Sequence, residues 1–257
     1  MAADPQVRKR RGRGIYILPN AFTTAALFAG FFATVQAMND RFDIAAIAIF
    51  MAAILDSLDG RVARLTNTQS AFGEQYDSLS DMVSFGVAPA LIMYEWSLRT
   101  LGKWGWIAAF VYCAGAALRL ARFNTNIGVV DKRFFQGMPS PAAAALVVGF
   151  VWTVTDLRET RWITATAPDL AWLAWVLTVY AGVSMVSNAP FYSFKDLNLR
   201  RSVPFIFAIG LVLLFVLVSA DPPLVLFGIF VIYGLSGYAL WLWRWQRRRT
   251  SAHDGAN

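Results

Sequence analysis

The sequence predicts an all-α, polytopic transmembrane helical bundle of about eight spans, with both termini cytoplasmic. Three observations predict it. The 257 residues are 57% hydrophobic and only 15% charged, whereas soluble domains average nearer a quarter charged. The apolar residues fall in long runs, each close to the ~20 residues that cross a ~30 Å hydrocarbon core. The Lys and Arg residues behind the net charge of +7 are also shared unevenly between the two sides that alternating runs would create.

The runs lie near 16–37, 44–65, 74–97, 104–123, 140–157, 168–187, 203–220 and 222–243. The first follows the basic stretch "RKRRGR". The second and third are the least lipid-like, because they carry aspartates. "EWSLRTLGKWGW" links the third to the fourth, and "WLWRW" closes the eighth, so tryptophans cluster where interfaces are expected. With both termini inside, the inner segments hold 18 Lys/Arg and the outer loops 5, namely Arg41, Arg99, Lys103, Arg158 and Arg161. That is the positive-inside pattern. The basic excess therefore reads as topological charge facing anionic lipid, and no nucleic-acid partner is expected.

Other chemistries are narrowed by what the chain carries. Lone Cys113 excludes an intramolecular disulfide. His253, the only histidine, lies in "TSAHDGAN", which excludes catalytic triads and His-ligated metals. No cleavable signal peptide is expected, since the first run is long and lacks an A-x-A site. No internal repeat supports an inverted-repeat transporter.

The stretch "DSLDGRVARLTNTQSAFGEQYDSLSD", Asp56 to Asp81, holds four aspartates between apolar runs. Acids within a membrane are costly and mark function by default. Asp56 and Asp59 are i,i+3, and Gly60 and Ala63 continue their face at i+4 and i+7. On the next helix Gly73, Asp77 and Asp81 form an unbroken i,i+4,i+8 stripe. The polar link "TNTQSAF" requires antiparallel packing, so the stripes can face one another across a small cleft. Four facing carboxylates cannot all stay ionised without cations between them. Oxygen-only ligation suits hard divalent metals, and these suit a phosphate substrate. Gly60, Ala63 and Gly73 leave room for a bulky ligand, or else allow close helix packing. Arg64, one turn after Gly60, can neutralise a phosphate oxygen.

Asp56-x2-Asp59-Gly60-x2-Ala63-Arg64-x8-Gly73-x3-Asp77-x3-Asp81 resembles the CDP-alcohol phosphotransferase signature at every fixed position. The resemblance implies an integral-membrane enzyme that exchanges the CMP of a CDP-linked lipid or alcohol for another hydroxyl compound, using divalent metals. It implies that Asp56, Asp59, Asp77 and Asp81 are metal ligands for Mg²⁺ or Mn²⁺, two ions in all. It further implies that Asp81 is the base and that Gly60, Ala63, Arg64 and Gly73 line the CDP site. It also implies a homodimer. One domain then spans 1–257: a basic tail 1–15, catalytic core helices 16–157, additional spans 158–243 and a basic, polar tail 244–257.

"LPNAFTTAALFAGF", "DSLSDMVSFGVAPA", "GAALRLARFN" and "FFQGMPSPAAA" resemble the serine-using bacterial branch of that family, over roughly 17–145. This implies transfer of the phosphatidyl group of CDP-diacylglycerol to L-serine by direct displacement. The setting would be the bacterial cytoplasmic membrane, with the active site facing the cytoplasm. Ala26 departs from a polar position in many relatives, so only Asn20 and Thr23 carry over from the first span as nucleotide contacts; a helix cap and an intrahelical hydroxyl are their plainer readings. Arg119 and Arg122 share a face near the end of the fourth helix, with Asn124 following. They form the candidate serine site, or else snorkelling anchors. In "FFQGMPSP", Gly137 and Pro139 predict a turn before Pro141 opens the fifth span. Two alternatives stay open. One keeps the chemistry with glycerol 3-phosphate, inositol phosphate or choline as acceptor. The other is a divalent-cation or lipid transporter.

Overall fold

The computed structural model describes residues 17–125, 134–192 and 205–254. The basic stretch at 8–13, Lys132 and Arg133, and the segment from Lys195 to Arg201 lie outside the described residues.

In chain order the elements are α1 (Ile17–Met38), α2 (Phe42–Thr66), α3 (Ala71–Asp81), a π-helical segment (Met82–Val87), α4 (Ala88–Trp96), a 3₁₀ turn (Leu98–Leu101), α5 (Lys103–Thr125), β1 (Phe134–Gln136), α6 (Ser140–Glu159), α7 (Ala171–Val186), β2 (Pro190–Tyr192), α8 (Phe205–Ala220) and α9 (Pro222–Asp254). Each run read from the sequence coincides with a helical rod, the third being α3, the π segment and α4 end to end. Leu18–Met38, Lys103–Thr125, Ser140–Glu159 and Pro222–Trp243 are long and apolar enough to cross a membrane, and α7 and α8 are shorter apolar helices. Phe28, Phe31, Met51, Phe110, Phe215 and Ile232 are among many large apolar side chains on the exterior. Such a surface belongs to a helical membrane protein, where lipid rather than water meets the outside.

The helical expectation holds, with one short addition. β1 and β2 form a short antiparallel ribbon, pairing Phe134 with Tyr192, Phe135 with Phe191 and Gln136 with Pro190. Three-residue strands drawn from distant loops are too short to show a period of two in sequence. α9 also continues past the apolar run to Asp254, so the polar tail begins as helix.

Small residues set the packing. α1 and α2 pack against each other, and their Ala33, Ala37, Ala45, Ala48 and Ala52 are all buried. Without a hydrophobic drive between helices in lipid, close backbone approach supplies the attraction. α5 and α7 cross closest at Gly115 and Gly182, where a Cβ on Gly115 would strike the Gly182 carbonyl. α6 is the buried centre: Ala142 to Val151 is shielded throughout, and Trp96 meets Phe150 edge-on at 5.5 Å. α8 touches α9 and little else.

The link between α2 and α3 follows from its residues. Asn67 adopts a left-handed conformation (φ 52°) and ends α2, and the Thr68 N–H returns to the Ala63 carbonyl at 3.0 Å. Ser70 then caps α3, its Oγ accepting the Gly73 N–H at 3.0 Å. The expected antiparallel packing of α2 on α3 is modified. α1 packs against both, while α2 and α3 draw together chiefly at their acids. The cleft between them thus stays open.

Candidate active site

Three helices build the acidic centre. Asp56 and Asp59 on α2 and Asp77 on α3 each offer a carboxylate oxygen, and these oxygens lie within 4.8 Å of one another. Asp59 is buried and accepts a hydrogen bond from Thr23 Oγ1 at 2.7 Å. The Thr23 carbonyl in turn accepts one from Ser80 Oγ at 3.1 Å, and one turn along Ser84 Oγ donates to Ala26 at 3.0 Å. α1 is therefore the spacer that holds the acids of α2 and α3 in register. Asp77 Oδ1 is buried and finds no hydrogen-bond partner.

Asp81, read from sequence as a fourth ligand and also as the base, is not one of the three carboxylates that converge within 4.8 Å. It is one turn beyond Asp77, at the end of α3 where the π-helical segment begins, and its carboxyl meets that of Asp56. π-turns are frequent at functional sites, because they re-aim the side chains around them.

Beside the acids opens a cavity of about 190 Å³. Its wall includes Asn20, Thr23, Asp59, Gly60, Ala63, Arg64, Gly73 and Asp77, so every residue read from sequence as a nucleotide contact lines one space. Gly73 faces Asn20 across it, and the Arg64 guanidinium folds back beside Gly60. Thr23 belongs both to the wall and to Asp59. The sequence reading missed Pro19, Thr68, Gln69, Ser70 and Glu74, which complete the wall. The polar composition of the α2–α3 link was the available signal for Thr68, Gln69 and Ser70.

The candidate acceptor residues separate. Arg119 Nη1 donates to Ser140 Oγ at 2.8 Å, and its charge acts on both Asp81 and Asp56. Arg122 points elsewhere. Its guanidinium donates to the carbonyls of Gln136 (2.6 Å), Val186 (3.1 Å), Met185 (3.4 Å) and Ser187 (3.4 Å), and to Asn188 Oδ1 (3.2 Å). Those donors are spent on the ribbon and the end of α7. Asn124 Nδ2 donates to Ser78 Oγ at 3.0 Å, joining the end of α5 to α3 beside Asp77.

The donor set fits a divalent metal. Three converging carboxylates, one with an unpartnered buried oxygen, offer hard oxygen ligation. Among the described residues the ion pair formed is Arg99 with Glu95, at the opposite end of the bundle, so no side-chain cation neutralises the acids at contact distance.

Comparison with known proteins places the chain in a family. A family model described as CDP-alcohol phosphatidyltransferase matches residues 16–183. The CDP-diacylglycerol–serine O-phosphatidyltransferase of Helicobacter pylori is 37% identical over 221 residues, covering 86% of this chain and 90% of that protein. The proteins of the same name from Mycobacterium leprae and Methanocaldococcus jannaschii are 32% and 35% identical, over 88% and 74% of this chain and 75% and 82% of theirs. The matched region holds α1 to α6 and most of α7, including all four signature aspartates. The chain belongs to the CDP-alcohol phosphatidyltransferase family.

Proposed function

We propose that the chain transfers the phosphatidyl group of CDP-diacylglycerol to the hydroxyl of L-serine, giving phosphatidylserine and CMP. The names of its relatives support serine as acceptor. The observation that carries the chemistry is the convergence of Asp56, Asp59 and Asp77, with a buried orphan oxygen, on a cavity lined by the other signature residues.

Asp56, Asp59 and Asp77, with Asp81 completing the set, would hold two Mg²⁺ or Mn²⁺ ions. Bound there, the metal neutralises charge on the transferring and leaving phosphate oxygens. Asn20, Thr23, Gly60, Ala63 and Gly73 shape the space for the CDP moiety, and Arg64 offsets a phosphate oxygen. An unassisted alcohol is a poor nucleophile at neutral pH. Asp81 takes the hydroxyl proton of serine as that oxygen bonds to the phosphorus bearing diacylglycerol. The bond from this phosphorus to the CMP oxygen breaks, and CMP leaves. No covalent enzyme intermediate forms. Arg119, at the edge of the acids, receives the serine carboxylate, and Asn124 lines the same end.

The setting is one integral-membrane domain of eight spans, dimeric, in a bacterial cytoplasmic membrane with the acids facing the cytoplasm. Reporter fusions near residues 40, 100, 160 and 221 then read outside, and those near 68 and 250 inside. A fusion at 68 reading outside overturns the orientation. Cross-linking in membranes tests the dimer, and a protein that stays monomeric there removes it. Lipid product formed from radiolabelled serine, ethanolamine, glycerol 3-phosphate and inositol phosphate tests the acceptor. Serine alone is expected to label lipid strongly. Product from another acceptor with none from serine keeps the fold and removes the proposed reaction.

A further inference from the structure

Two arginines one turn apart on α5 do different work, and Ser140 stands between them. Ser140 is fully buried and is the first residue of α6, flanked by Pro139 and Pro141. Rings on either side restrict the backbone, and full burial leaves its hydroxyl little room to move. The approach to it is also tied down. The Gly137 N–H donates to Ala189 O at 3.0 Å, and the Met138 N–H to Ser184 O at 2.9 Å. Gly137 has φ +83°, and a Cβ there would strike the Met185 carbonyl and come within 3.0 Å of Arg122 Nη2. Arg122 closes this turn onto the end of α7 through its five acceptors.

From this platform the Ser140 hydroxyl holds Arg119. The 2.8 Å bond uses one N–H of the guanidinium and leaves its other donors uncommitted, with its charge within electrostatic reach of Asp81 and Asp56. Arg119 makes no ion pair with either acid. A half-buried guanidinium fixed at one corner and unpaired at the others is preorganised for a planar carboxylate.

We propose that Ser140 is a positioning residue for the acceptor: seated on the turn that Arg122 clamps, it orients Arg119 to grip the carboxylate of the incoming amino acid. This rests on the acceptor reading above.

The test is a double-mutant cycle on Ser140 and Arg119 in the membrane-embedded enzyme, with Michaelis constants for serine and CDP-diacylglycerol measured separately. Ser140→Ala is expected to raise the serine constant about 10-fold, the loss of one charge-assisted hydrogen bond. The CDP-diacylglycerol constant and kcat should change far less, and Ser140→Thr should restore the serine constant. In an Arg119→Lys background the added Ser140→Ala change should have no further effect. Should the alanine variant fail to accumulate, Ser140→Cys keeps the size, weakens the acceptor and carries the same cycle. An unchanged serine constant, or an equal effect in both backgrounds, overturns the proposal. A coupled effect falling on the CDP-diacylglycerol constant overturns only the acceptor assignment of Arg119, and leaves its positioning by Ser140 in place.

Discussion

In the cleft between α1, α2 and α3, three carboxylates converge, and among the described residues no side-chain cation is in ion-pair contact with them. At the ends of α5 and α7 the opposite holds, for a single guanidinium, Arg122, is ringed by five acceptors. The first region concentrates charge and leaves it unspent; the second spends its charge on backbone carbonyls. Buried charge that is satisfied holds structure, whereas charge left unsatisfied needs a ligand to complete it. Arg119 falls between the two, bonded at one corner to Ser140 and within electrostatic reach of the acids.

The contrast breaks most visibly at Asp81. Asp81→Asn should cut turnover by ~10²–10⁴-fold, the usual worth of a general base. Binding of the CDP-lipid should change much less, whereas Asp56→Asn, Asp59→Asn or Asp77→Asn should weaken metal-dependent binding itself. Normal turnover in Asp81→Asn would remove its role as base.

The two arginines give the next largest effect. Arg119→Lys should raise the serine Michaelis constant on the order of 10- to 100-fold, since lysine lacks the planar fork. Arg122→Lys should behave differently. It loses hydrogen bonds to carbonyls, so about 2 kcal/mol of stability should disappear in thermal unfolding, with the serine constant of the folded protein little changed. A rise in that constant without loss of stability would return Arg122 to the acceptor site, where the sequence reading had put it.

The smallest effect expected is at Thr23. Thr23→Val removes the 2.7 Å bond to Asp59, worth roughly 1 kcal/mol, so Mn²⁺ affinity measured by electron paramagnetic resonance should fall about 5-fold. Unchanged affinity would mean that α1 does not hold Asp59 for the metal.

The acids were legible in the sequence because their spacing is a local helical property. Residues at i,i+3,i+4 share a face whatever surrounds them, and Asp56, Asp59 and Asp77 do converge. The eight rods were legible from the length of their apolar runs, and the turn at Gly137 from the glycine and the prolines that follow it. The fate of Arg122 was not. Its partners lie up to 66 residues away, and four of its five contacts depend on where α7 ends. Ser140 and the ribbon were hidden likewise, since neither has a periodic signature. The π-helical segment after Asp81 leaves no mark in composition, although it governs how α3 passes into α4.

The most direct test of the account is CMP release by purified enzyme in lipid, followed with and without serine and with the divalent metal present or chelated. CMP should appear only when CDP-diacylglycerol, serine and metal are all present, in equal amount to phosphatidylserine. CMP released at the same rate without serine, or a lipid-phosphorylated enzyme trapped in its absence, would contradict direct displacement in the acidic cleft.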